Sequence, residues 1–151
     1  MPANTSPIFT LTPNIGNAKI TTTAALVRSD GTDTVGTNIF KAFTAGANGS
    51  FVDKVRFNTV ATAAAVSSVA TTLRVHLSTV GSGATTGGTD TWLLGEVSVP
   101  VISTSNSTSA TNYYDVVLGI AIPSGTFIHV SQHIAQTTNQ FWNATVFGGN
   151  Y

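Results

Sequence analysis

Apolar and polar residues alternate with a period of two along most of this chain, and no stretch holds the period of an amphipathic helix. Leu73, Val75 and Leu77 alternate with Arg74 and His76, while Phe51, Val55 and Phe57 share a face opposite Lys54 and Arg56. Such runs, rich in β-branched and aromatic residues and bounded by Gly, Asn, Asp and Ser clusters, read as half-buried strands. Eight of them are expected, over residues 20–28, 37–44, 51–60, 73–77, 92–102, 113–120, 126–135 and 141–147. Pro100 marks its strand as an edge or a bulge, because proline cannot donate to a ladder. Gly46-Ala47-Asn48-Gly49-Ser50 reads as a hairpin loop. Residues 29–33 read as a turn, and residues 81–90 and 103–110 as long loops. Residues 61–70 fit neither a helix nor a strand well.

Strands without βαβ alternation argue for a sandwich or a barrel. The expected fold is an all-β, single-domain β-sandwich, jelly-roll-like, with about eight antiparallel strands. An immunoglobulin-like sandwich is the alternative. Residues 1–18 stand apart as an extended N-terminal arm before a sandwich domain at 19–151, because Pro2, Pro7 and Pro13 interrupt regular structure. The arm carries Ile8, Phe9, Leu11 and Ile15 as candidate contact residues. Two readings of it stand: packing along its own domain, or docking on a neighbouring subunit.

Charge is scarce. Asp, Glu, Lys and Arg make up 8% of the chain, against about 25% in an average domain. Hydroxyl groups are cheaper to desolvate than ions, so this surface suits lasting protein contact. The net charge of +0 supplies no field to steer nucleic acid or an anionic membrane. No run of apolar residues is long enough for a membrane helix. The N-terminus lacks the pattern of a secretory signal, so synthesis and retention in a cytoplasm until assembly are expected. The absence of cysteine excludes disulfides and thiolate metal sites.

Reaction chemistry is hard to find. No nucleophile elbow or phosphate cradle is present, and the six acids fall on turns and strands. The chain is read as a non-enzyme with no catalytic, cofactor or metal residue. His129 and His133 share a face of one expected strand, and His76 lies on another. Their expected place is a solvent or intersubunit face rather than a metal site. Asp30 and Asp33 supply too few oxygens for calcium and read as turn residues. Trp92 and Trp142 are the candidate aromatic platform for a carbohydrate ligand, against burial as the commoner fate of tryptophan.

The opening Thr5-Ser6-Pro7-Ile8-Phe9-Thr10-Leu11-Thr12-Pro13-Asn14-Ile15-Gly16 resembles small virion proteins of tailed bacteriophages and prophages. So does Phe43-Thr44-Ala45-Gly46-Ala47-Asn48-Gly49-Ser50 leading into Val52-Asp53-Lys54-Val55-Arg56-Phe57. Leu73-Arg74-Val75-His76-Leu77 and the ending Gly148-Gly149-Asn150-Tyr151 are similar as well. The resemblance implies a capsid decoration or cement role on the virion surface, with a jelly-roll fold and homotrimers. The major capsid protein and further copies of the chain are then its partners, and the host bacterial cytoplasm its place of synthesis. A receptor- or carbohydrate-binding module of a head fibre or tail is the competing expectation.

Overall fold

A computed structural model describes residues 10–107 and 112–151. Twelve strands follow one another: β1 (Thr12–Ile20), β2 (Thr34–Val35), β3 (Ile39–Thr44), β4 (Ser50–Ala61), β5 (Val66–Ser67), β6 (Thr71–Ser78), β7 (Gly83–Ala84), β8 (Thr91–Val99), β9 (Ser103–Thr104), β10 (Tyr113–Ile122), β11 (Phe127–Gln132) and β12 (Gln140–Asn150). One sheet has the order β1-β12-β4-β10, and the second the order β7-β2-β3-β11-β6-β8. The short β5 and β9 pair with each other. No helix occurs among the described residues. The molecule is an all-β sandwich.

The eight long strands pair as a nested set. β1 lies beside β12, β3 beside β11, β4 beside β10 and β6 beside β8, each pair antiparallel. This is a long hairpin of paired strands rolled into two sheets, which is the jelly-roll arrangement. Only β6 and β8 are successive long strands in the same sheet. The Gly46–Ser50 segment is therefore not a hairpin loop, because β3 and β4 belong to different sheets. Its turn chemistry is nonetheless as expected, with Gly49 at φ +88, where a side chain is disfavoured.

The core lies between the sheets. Rows of inward residues cross the four-stranded sheet: Gly16, Val146, Val55 and Val116; then Ala18, Ala144, Phe57 and Tyr114; then Ile20, Trp142 and Thr59. Leu73, Val75, Ile128, Val130 and Phe43 face them from the six-stranded sheet. Small residues on β1 allow close approach. A Cβ at Gly16 would collide with the Ala42 carbonyl of β3, so this glycine sets how tightly the two sheets close.

Two expected elements are placed differently. Residues 12–18, assigned to an arm, form most of β1, which continues to Ile20 across the expected domain boundary at residue 18. Pro13 is accommodated because β1 is an edge strand, where a missing donor is tolerated. Residues 20–28, expected as a strand, end β1 at Ile20, place Ala24 in the core and from Leu26 run as an irregular strap over the outer face of the six-stranded sheet. Their alternation is real: Ala24 and Leu26 are buried while Val27 is 74% exposed. They pack against a sheet face instead of a strand edge, so no ladder forms.

Residues 81–90 are less open than expected. They contain β7, and the Thr85 hydroxyl is buried against Gly31 O and Asp33 O. β8 stops at Val99, before Pro100, and is an edge strand as the proline implies. Residues 61–70 form turns and β5.

Gly16→Val should destabilise the fold by about 1–3 kcal/mol through overpacking, and Trp142→Ala by about 3–5 kcal/mol through loss of core volume. Urea unfolding midpoints at unchanged slope test both values.

Candidate contact face

The outer face of the four-stranded sheet carries no covering segment among the described residues, and its side chains form transverse rows set by register. Ile15, Phe147, Lys54 and Val117 make one row; Asn17, Thr145, Arg56 and Asp115 the next; Lys19, Asn143, Asn58 and Tyr113 a third. Phe141 and Val60 follow. Ile15, Val117 and Tyr113 are 59%, 75% and 57% exposed. Leu11, exposed and bonded through its N–H to Asn150 O at 2.8 Å, extends the apolar end of this face. An apolar row beside a polar one is the pattern of a contact surface with an apolar centre and a polar flank. Asn17, Lys19, Asn58, Asn143 and Thr145 also line a depression of about 400 Å³.

The charges of this face are engaged with one another. Arg56 donates from Nε to Asp115 Oδ1 at 2.7 Å and from Nη2 to Oδ2 at 2.8 Å, the two-pronged geometry of a strong pair. Lys54 Nζ donates to the same carboxylate at 3.1 Å. Arg56 hydrogen bonding, joined by Lys54, holds the Asp115 carboxyl down to about 2, against the opposing effect of burial. The cations also lie over rings: Arg56 is 4.0 Å from the Tyr113 centroid and Lys19 4.2 Å from that of Phe141. Paired and stacked ions lose less on leaving water than free ones.

The candidates named from sequence are scattered. Leu11 and Ile15 lie on this face; Ile8 and Phe9 lie outside the described residues. Trp92 is 40% exposed on β8 of the other sheet. Trp142 is fully buried, edge-on to Tyr114 with centroids 6.1 Å apart. The two tryptophans therefore form no platform: Trp142 occupies an inward position of β12, where its volume fills the core. Asp30 and Asp33 accept from the Thr32 and Thr34 amides and act as turn residues. Sequence reading missed the weight of Val117 and Phe147, although the alternation of Tyr113, Asp115 and Val117 carries the signal.

The histidines are also placed differently from expectation. His76 and His129 are fully buried and directly opposite each other on β6 and β11. They face away from the core, His76 beneath the strap and His129 stacked on Phe127. His76 Nε2 donates to Ser29 O at 3.1 Å. His76 Nδ1 and both ring nitrogens of His129 have no partner among the described residues. Desolvation lowers the proton affinity of both rings, that of His129 to about 4. His133 Nδ1 lies 3.3 Å from Leu26 O. No group of three or more His, Cys, Asp or Glu side chains able to hold a metal occurs among the described residues.

No protein-family model matches the chain, and no curated protein matches it significantly. The roles of these surfaces rest on their own geometry.

Asp115→Asn should lower stability at neutral pH. A carboxyl whose folded-state pKa is depressed contributes stability above its unfolded value near 3.9, which is lost as pH falls towards about 2. The variant should therefore show a flatter stability profile across that acid range, measured by urea midpoints.

Proposed function

We propose that this protein is a structural component of a tailed-bacteriophage virion, a decoration or cement protein that seats the outer face of its four-stranded sheet on the major capsid protein. The observation that carries the reading is the row of Ile15, Phe147, Lys54 and Val117 beside the tethered Arg56–Asp115 pair. This face offers exposed apolar area and few free ions, so burying it against a neutral protein surface costs little desolvation. The scarcity of charge across the chain and the resemblance of its segments to small phage virion proteins support the same reading. Three linked copies at a local threefold position would convert weak single contacts into durable attachment through effective concentration. The burial of Trp142 argues against a carbohydrate platform of Trp92 and Trp142, since one of its two rings cannot meet a ligand.

Ile15→Asp and Val117→Asp each place a charged carboxylate in the apolar part of the proposed contact. Both positions are exposed, so folding should be little affected. Binding to shells stripped of this protein should weaken at least about tenfold, while the far-ultraviolet spectrum and urea midpoint stay near those of the parent. Undiminished occupancy of the shell by both variants would reject this face as the attachment surface. Because residues 12–18 belong to β1, truncation tests must stop before Thr12 to leave the sheet intact.

A further inference from the structure

Residues 21–24 pack at the end of the core, where Ala24 joins the main cluster, and the strap that follows, residues 25–33, is held mainly by side chains. Gln132 Nε2 donates to Thr21 O at 2.9 Å and Ala24 O at 2.7 Å, just ahead of it; Arg74 Nη1 donates to Leu26 O at 3.1 Å; His76 donates to Ser29 O. The Thr85 hydroxyl donates to Gly31 O, and Asn38 Oδ1 accepts from the Ala25 amide. Backbone bonds are sparse, with Leu26 N to Gln132 O and Thr85 N to Asp33 O among them. Leu26 is buried yet lies outside the main core cluster. A segment anchored this way opens at lower free energy than the ladders beneath it.

Register sets a row across three strands: exposed Lys41 on β3, then buried His129 on β11 and His76 on β6. Gly31, with φ +86, seats the strap directly on His76 and Thr91, since a Cβ there would lie 3.0 Å from His76 Cδ2. With both imidazoles neutral, one cation stands in the row. With both protonated, three cations are adjacent, and like charges directly opposite on neighbouring strands repel. The other charged or titratable groups facing the pair are Arg74 on β6, Glu96 on β8, Asp30 on the strap and Asp90 before β8. Glu96 is already joined to Arg74 at 3.1 Å, and His133 lies at the flank, against Leu26 O. Asp30 and Asp90 are held in turns by Thr32 and by Thr86 with Thr91.

We propose that the strap is an acid-released clasp: protonation of the buried His76–His129 pair, in row with Lys41, lifts residues 25–33 from the six-stranded sheet and exposes Leu26 while the core and the jelly-roll ladders stay in place. The sign follows from burial. The neutral rings are the folded form, so the clasp holds above the ordinary histidine range near pH 6.5 and loosens as pH falls below it. The inference stands apart from the virion reading, because it concerns the opposite sheet and its test involves no shell.

Hydrogen exchange followed amide by amide, as protection factors at pH 7 and at about pH 4.5, tests the clasp. The amides of Ala25, Leu26 and Thr85 should lose at least about tenfold protection at the lower pH, while those of β4 and β12 keep theirs. Lys41→Gln, at an exposed position, removes the permanent cation of the row and should move strap release to lower pH. His129→Gln should weaken the pH response of the strap, leaving the part that His76 carries. Three results each overturn the proposal: strap amides that stay protected in acid, simultaneous loss of strap and ladder protection, or a Lys41→Gln release profile identical to that of the parent.

Discussion

The position of the last strand governs the fold. β12 lies between β1 and β4, so the four-stranded sheet joins the start, the middle and the end of the chain. Asn14 and Asn150 meet side chain to side chain at 3.0 Å across a separation of 136 residues. Asn150 also accepts from Ser50 at 2.7 Å. No subset of neighbouring strands can complete this sheet, and the nested pairs leave one local hairpin among the long strands. Topologies dominated by distant pairings fold slowly. Their cooperativity is correspondingly high, because removing either end takes away the ladder of a central strand.

The two sheets treat their outer faces in opposite ways. The outer face of the six-stranded sheet carries Arg74, His76, His129 and Ser131 beside Ile39 and Phe127, and it is closed over by chain. Backbone carbonyls of an irregular strap need donors when buried, and the sheet supplies them from Gln132, Arg74 and His76. The outer face of the four-stranded sheet mixes apolar rows with tethered ions and is left bare by the described residues. One face is finished within the subunit; the other is left uncovered among the described residues.

Strand existence was legible because period-two alternation survives wherever a sheet has an inside and an outside. All eight expected runs contain or overlap a real strand, but residues 20–28 show the limit of the rule. Ala24 and Leu26 alternate with exposed neighbours, yet the segment pairs with no ladder. Alternation records burial on one side, not the presence of a strand on either edge. Pro13 misled in the other direction: a missing donor forbids a central strand, not an edge strand. The hairpin reading of Asn48-Gly49 captured the local dihedral and missed the crossing between sheets, which depends on distant partners. Trp142 and the histidine pair were misplaced for the same reason, since which face of a strand meets the core is fixed by register.

The few charges follow from this architecture. Each of the six cations lies on an outer surface: Lys19, Lys54 and Arg56 on the bare face, Lys41 and Arg74 on the covered one, and Arg28 on the strap. Between the sheets the polar groups are hydroxyls, amides and an indole, which tolerate low dielectric better than ions do. On the bare face Asp115 gathers two cations and aromatic rings shield their flanks, so a partner would meet little unpaired charge. Beneath the strap the same economy leaves two imidazoles without acids of their own. A chain that can afford almost no ions becomes sensitive to the few that pH creates, and the histidine row is where that sensitivity concentrates.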